Sequence, residues 1–356
     1  PIIGVLALQV VLGCESDGEK ERLVWKYETY NRGWLSGDCQ CPAPVLAADT
    51  LYFCGGYFGE KKERLVAVDL LTRSEKWKVT MPGSCGPLTV KEGVIYKWDG
   101  KALAAFDART GTRLWDRSDA TGLPLFYKEN VYTFIQDGPA LEKLERATGK
   151  PLDSLRVPGI PSGKPVLEQA MLYYGTMNGD IATVNLETGA QVAAVKVADR
   201  ITTPLAKQGD VVFFSAEKVD PQTKVHQFNF YALEVGSRKV KWTVTGRVLT
   251  QAEPLVWNNT VFFGGGSLHA IHVESGQGRT YDLSGGPVWQ PIISEGILYV
   301  GGGRYMHAVD PSSGKILWRY RTGGWVAAPP TGPPPVVRDG LLYFGSLDCN
   351  VYALRL

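Results

Sequence analysis

The chain has 356 residues, with 38 Lys and Arg against 36 Asp and Glu and a formal net charge of +2. Charge this balanced argues against nucleic acid as a principal partner, because phosphate recognition needs a concentrated cationic field. The 41 Gly and 22 Pro supply turn chemistry, while 44% apolar residues argue against disorder. No stretch reaches the roughly 18 apolar residues that a membrane-spanning helix needs.

The first element, Pro1 to Gly13 (PIIGVLALQVVLG), is an uncharged apolar run that ends at Cys14 and is followed by a polar stretch, 15–21. Val11-Leu12-Gly13-Cys14 reads as the cleavage box of a bacterial lipoprotein signal. Gly13 suits it, whereas Leu12 is bulkier than usual. Residues 1–14 are therefore expected to be the later part of such a signal, with Cys14 the lipid acceptor and 15–21 a tether. Lipid on Cys14 anchors a protein to a membrane surface without spanning it, on the extracytoplasmic side. The competing reading, a strand or tail packed on the domain, finds no alternation or turn residues to support it.

From residue 22 onward the chain repeats. Asp-x-x-Ser/Thr-Gly-x-x-x-Trp appears as Asp107-Ala-Arg-Thr-Gly-Thr-Arg-Leu-Trp115 and Asp310-Pro-Ser-Ser-Gly-Lys-Ile-Leu-Trp318, with degraded copies starting at Asp69, Glu145, Asn185, Glu234 and His272. Before each copy come a Pro, a strand-like apolar stretch and a Val/Leu-Tyr/Phe pair. The prolines are Pro44, Pro87, Pro124, Pro165, Pro204, Pro254, Pro291 and Pro335, spaced by 43, 37, 41, 39, 50, 37 and 44 residues. A period near forty with four short strands is the signature of a β-propeller, so residues 22–356 are expected to form an all-β, eight-bladed propeller of four-stranded antiparallel blades.

The seventh repeat sets the pattern. Pro291-Ile-Ile-Ser is the inner strand, opened by a residue with no ladder donor to offer. Ile297–Val300, Met306–Val309 and Ile316–Tyr320 follow as second, third and outer strands. In the turn 310–314 the Asp carboxylate accepts backbone N–H groups and Gly takes a left-handed conformation. Trp77, Trp115, Trp242 and Trp318 hold one outer-strand place and are expected to pack between blades; repeats three, four and six lack that Trp and should be less well buttressed. The eighth repeat ends at Leu356 without an outer strand, whereas Arg-Leu-Val-Trp-Lys-Tyr (22–27) matches Ile-Leu-Trp-Arg-Tyr (316–320). The amino-terminal strand is therefore expected to complete the last blade and remove an exposed edge.

The remaining cysteines, Cys39, Cys41, Cys54, Cys85 and Cys349, all fall on one end of three consecutive blades, because second-to-third-strand turns and blade-to-blade links share a face of the ring. One or two disulfides clamping the seam, buried free thiols, or a metal or haem contact each explain them. The same face collects Arg32, Trp34, Tyr57, Phe58, Trp289 and Trp325, the candidates for partner binding, since aromatics and Arg on rigidly held loops make interface hot spots. Trp289 equally suits a plug at the channel mouth. Long turns are expected at 55–62 and 215–224. His226, His269, His272 and His307 match no metal spacing and read as structural, and no nucleophile elbow or phosphate loop is present.

These repeats resemble the PQQ-like (quinoprotein) propeller family over residues 22–356. Within it, a lipobox directly before an eight-bladed ring resembles the BamB family of lipoprotein scaffolds. That resemblance implies a non-catalytic, lipid-anchored scaffold of the bacterial periplasm or cell envelope, on the outer membrane, with no cofactor, no metal and a β-barrel assembly protein as partner. Two alternatives share the fold: an accessory subunit of a membrane electron-transfer complex, and a PQQ-dependent dehydrogenase. Such dehydrogenases carry adjacent cysteines, a Glu/Asn/Asp calcium site and long insertions; here the nearest Cys spacing is Cys39-Gln-Cys41.

Overall fold

The computed structural model describes residues 21–29, 39–40, 44–57, 62–82, 85–136, 138–246, 252–283, 288–326 and 334–356, with only the backbone for Cys39, Gln40 and Tyr57. Within them the chain forms eight antiparallel sheets, seven of them ordered from inner to outer strand along the sequence and the eighth completed by the amino-terminal strand. Blade seven runs Ile292–Ser294, Ile297–Gly302, Tyr305–Val309 and Ile316–Arg321. Blades one and five carry an added two-residue strand, Cys39–Gln40 and Arg200–Ile201, on the end of their second strands.

Burial follows strand position. Second and third strands are apolar on both faces, as in Leu341–Ser346, because each blade is sandwiched between neighbours. Outer strands alternate, as in Glu75–Pro82, since only one edge of the pleat meets another blade. The core is accordingly divided into hydrophobic layers, one at each of the eight blade interfaces.

The ring closes as the sequence implies. Leu23–Glu28 pairs antiparallel with Asn350–Arg355, Trp25 opposite Ala353 and Tyr27 opposite Val351. Trp25 and Tyr27 then join Phe53, Val66 and Val68 of blade one in the closing hydrophobic layer. Beyond that strand, the backbone N–H of Thr29 donates to Cys349 O at 2.7 Å and its hydroxyl to the same oxygen at 2.9 Å. Gly55 makes this approach possible, because a Cβ there would lie 2.4 Å from Thr29 Cβ.

The recurring Trp and the recurring Gly belong to one device. Trp115 donates its Nε1–H to Arg146 O at 2.8 Å, on the turn of the next blade, and the Gly149 of that turn lies flat against its ring. Trp77 with Gly111 and Trp242 with Gly276 repeat it. Trp318 faces the seam, where no such turn follows, and the Arg22 guanidinium stacks over it at 4.5 Å. Two of the three repeats without this Trp find substitutes two residues further along the strand. Tyr281 of blade six donates to Pro311 O at 3.1 Å and lies under Gly314, and Leu155 of blade three meets Gly189. Blade four has Ala193 in the Trp place and Val195 two residues on, packed into the layer, and the facing turn carries Arg238 (φ 59) in the glycine place, as the turn of blade one carries Arg73 (φ 56). The expectation that blade six is poorly buttressed is thus corrected.

Gly149→Ala separates packing from backbone. The left-handed conformation (φ 68) costs an L-residue about 1–2 kcal/mol, and the new methyl would lie 2.6 Å from the Trp115 ring. Gly93→Ala carries the same backbone cost (φ 78) with nothing within 4 Å. Urea titration should show Gly149→Ala losing clearly more stability than Gly93→Ala; equal losses would refute the docking role of the glycine.

Candidate functional site

Two places gather functional groups: the axis of the ring and the cysteine-bearing seam. The inner strands are edges that face the axis. The prolines Pro87, Pro165, Pro204 and Pro335 ahead of these strands, and Pro124 inside Ala120–Tyr127 and not at its start, line a cavity of about 1070 Å³, presenting rings where free N–H donors would otherwise stand. Its wall also contains Lys164, Glu253 and Gln290, from the links into blades four, six and seven. The Lys164 ammonium is 3.5 Å from Glu253 Oε2, and Gln290 Nε2–H donates to that oxygen at 3.1 Å. All three stand immediately before their repeat prolines, Pro165, Pro254 and Pro291, a place that the repeat pattern leaves unmarked because its residue type changes from copy to copy.

This donor set can be tested against the group that the wider fold family implies, a quinone bearing several carboxylates together with calcium. Among the described lining residues Lys164 is the one cation and Glu253 the one carboxylate, and they already neutralise each other. A polyanion needs more positive charge than this, and calcium needs more oxygen ligands. The described lining does not fit the pair.

Cys54 and Cys85 are joined in a disulfide with Cα atoms 5.5 Å apart, which clamps blade one to blade two and not, as expected, the closure between blades eight and one. Cys349 is also disulfide-bonded, and its partner lies outside the described residues. Cys54 sits within Thr50–Tyr57, since the second strand runs on through Gly55 and Gly56 into the span 55–62 expected as a turn. Buried beside the disulfide is an ion pair that the sequence reading missed, Lys97 Nζ to Glu63 Oε2 at 2.9 Å. Burial pushes the Glu63 carboxyl up to about 7, against the opposing pull of Lys97.

Of the partner-binding candidates, Trp325 is 44% exposed and firmly seated. The loop before it is fixed by Thr322 Oγ1–H donating to Gly324 O at 2.6 Å and by Gly323 N–H donating to Asp348 Oδ2 at 2.8 Å. Trp325 O in turn accepts from Leu347 N–H at 2.9 Å. Trp289 is half-buried, with its ring nitrogen shielded from solvent and given no hydrogen bond, as a plug at the channel mouth would be. Arg32, Trp34, Phe58, Cys14, Cys41 and the side chains of Tyr57 and Cys39 lie outside the described residues. The structure brings Trp325 to the neighbourhood of Cys349, through the bond that its carbonyl accepts from Leu347.

The second long turn is a hairpin. Val211–Val219 and His226–Glu234 pair to their ends around Asp220-Pro-Gln-Thr-Lys224, a further copy of the Asp turn with Lys224 at φ 58 in the glycine place. The Asp220 carboxylate accepts from Gln222 and Thr223 N–H at 2.9 and 2.7 Å. The histidines remain structural, with one amendment. His307 is fully buried and neither ring nitrogen has a hydrogen-bond partner of normal geometry; burial lowers it to about 4, so the ring is neutral.

Comparison with known proteins adds the family. The model described as outer membrane protein assembly factor BamB matches residues 16–159, 139–282 and 277–355. The chain belongs to the BamB-type PQQ-like propeller family. The BamB of Moraxella catarrhalis shares its fold at a TM-score of 0.61 and 16% identity, over 94% of this chain and 97% of that one. A europium-containing methanol dehydrogenase has the same ring, at a TM-score of 0.61 and 13% identity over 96% and 94% of the two chains. Identities this low show architecture alone. Among curated proteins, tetrathionate hydrolase of Acidianus ambivalens is 25% identical over 267 residues, 63% of this chain and 50% of its own length. The serine/threonine-protein kinase AfsK of Streptomyces griseus is 28% identical over 134 residues, 34% of this chain and 17% of its own. The chain thus spans at most half the length of these curated relatives.

Proposed function

We propose that this chain is a non-catalytic scaffold, lipid-anchored through Cys14 on the extracytoplasmic side of a bacterial membrane, that holds partner proteins in a BamB-like role in outer-membrane protein assembly. The observation that carries the reading is the family match, which continues across every blade from residue 16 to residue 355. Trp325 supports it, because a half-exposed indole on a hydrogen-bonded loop suits a partner contact that loses little entropy on binding.

The test is affinity capture of the intact, processed protein from native membranes, with mass spectrometry. A β-barrel assembly protein should be recovered, and Trp325→Ala should reduce its recovery about tenfold or more while the melting temperature stays unchanged, as expected for a hot spot worth about 2 kcal/mol. Cys14→Ser should move the bait to the soluble fraction. Recovery of cytochromes in its place would turn the reading toward an electron-transfer accessory. One observation favours an enzymatic reading, the 25% identity to tetrathionate hydrolase; tetrathionate consumption by the purified protein above background would replace the scaffold by a hydrolase.

A further inference from the structure

The buried polar cluster between blades one and two is not required by the propeller. Cys54 comes from Thr50–Tyr57, Glu63 from Lys62–Asp69, Lys97 from Val94–Trp98 and Cys85 from the link entering blade two. Glu63 Oε2 lies 3.1 Å from Cys54 Sγ and 2.9 Å from Lys97 Nζ. Cys54, Glu63 and Lys97 are 0%, 2% and 3% exposed, whereas Cys85 is partly exposed. A disulfide that served only as a clamp would be indifferent to the carboxyl, and an apolar pair would avoid the desolvation penalty of burying Glu63 and Lys97. What the arrangement supplies is one sulfur on a partly exposed residue, one sheltered sulfur, and a proton-carrying group at hydrogen-bond distance from the sheltered one.

We propose that Cys54–Cys85 is a thiol–disulfide exchange centre for dithiols, in which Cys85 is the attacked sulfur, Cys54 the leaving sulfur and Glu63 the group that carries the proton of Cys54. A donor thiolate attacks Cys85 Sγ; the Cys54–Cys85 bond breaks as the mixed disulfide on Cys85 forms, and the Cys54 thiolate takes the proton of the Glu63 carboxyl. The second donor thiolate attacks the donor sulfur of the mixed disulfide and releases Cys85 as a thiolate, which water protonates. The donor dithiol is thereby oxidised by two electrons to its disulfide, and Cys54 and Cys85 are reduced. In the reverse direction the Glu63 carboxylate takes the proton of Cys54 as that sulfur re-forms the bond to Cys85. Burial raises Glu63 to about 7, with Asp99 raising it further and Lys97 and Arg113 lowering it, so both protonation states are populated near neutral pH. A group so poised serves as proton donor and acceptor alike. Lys97 is a positioning residue that holds the carboxyl beside the sulfur.

The experiment uses the full chain, oxidised, with dithiothreitol as the dithiol probe and mass-mapped alkylation of Cys54 and Cys85 as the readout. Per donor thiolate, reduction should slow as pH rises through 7, because the protonated carboxyl is being lost. Glu63→Gln should be at least tenfold slower and show no such slope. Cys54→Ser should collect a stable mixed disulfide with glutathione on Cys85, whereas Cys85→Ser should leave Cys54 unlabelled in the folded protein. Should Glu63→Gln fail to fold, the two cysteine variants settle the proposal. It is overturned if Cys54 labels as fast as Cys85, if the native disulfide yields only in denaturant, or if the reduced protein retains zinc that shields both thiols.

Discussion

A chain lacking residues 15–28 is expected to melt far below the full chain and to aggregate. The deletion removes the outer strand of blade eight, Leu23–Glu28, and with it Trp25 and Tyr27 from the closing layer. A large buried side chain is worth about 1.5–3 kcal/mol and each strand hydrogen bond about 0.5–1.5 kcal/mol, so the loss approaches about 5–10 kcal/mol. That is comparable with the whole stability of an ordinary domain. The uncovered edge, Asn350–Arg355, presents unpaired backbone groups to other chains. Calorimetry with light scattering checks this, and a truncated protein that melts where the full chain does would show that the ring does not depend on its amino-terminal strand.

The second large effect is expected at Lys97. Removing one partner of a buried ion pair costs about 3–5 kcal/mol, because the other charge stays buried and uncompensated. Lys97→Met should therefore unfold at markedly lower urea than the parent at pH 8, where Glu63 is a carboxylate. Glu63 is an acid whose folded-state value, about 7, lies above its ordinary 4.5. It binds more protons folded than unfolded between those values, so its contribution to stability is fully present below pH 4.5 and is lost as pH rises through about 7. At pH 5 the neutral carboxyl no longer needs the ammonium, and most of the Lys97→Met penalty should vanish. A penalty that is the same at pH 5 and pH 8 would mean that lost packing, and not lost charge, is responsible.

The architecture was legible because its causes are local and periodic. Asp310, its following serines and Gly314 form their turn from five successive residues, and the carboxylate bonds at Ser312 and Ser313 are visible in the motif itself. Closure was legible for the same reason, since 22–27 carries the outer-strand pattern wherever it stands in the chain. Departures from the repeat were harder. Tyr281 does the work of the missing Trp from two residues further on, a shift that a fixed-position comparison passes over. Asp220 to Lys224 repeats the Asp turn with Lys in the glycine place, so a hairpin read as a loop. The Glu63–Lys97 pair had no sequence signal, because its members lie on different blades and their juxtaposition is set by ring packing alone. Likewise, the repeats placed the cysteines on one face but could not show that Cys54 and Cys85 approach within 5.5 Å.

The strand that closes the ring also orders events in time. Thr29 bonds to Cys349 across 320 residues of sequence, and Arg22 to Arg355 across 333. During synthesis or export, amino end first, the strand 23–28 emerges early and waits for a mate, Asn350–Arg355, that arrives last. Until then the nascent blades stack as an open arc with two sticky ends, a state prone to pairing with other chains. The circular architecture thus makes the delivery of the final blade a checkpoint, and a chain stalled before it is a natural client for a holding chaperone.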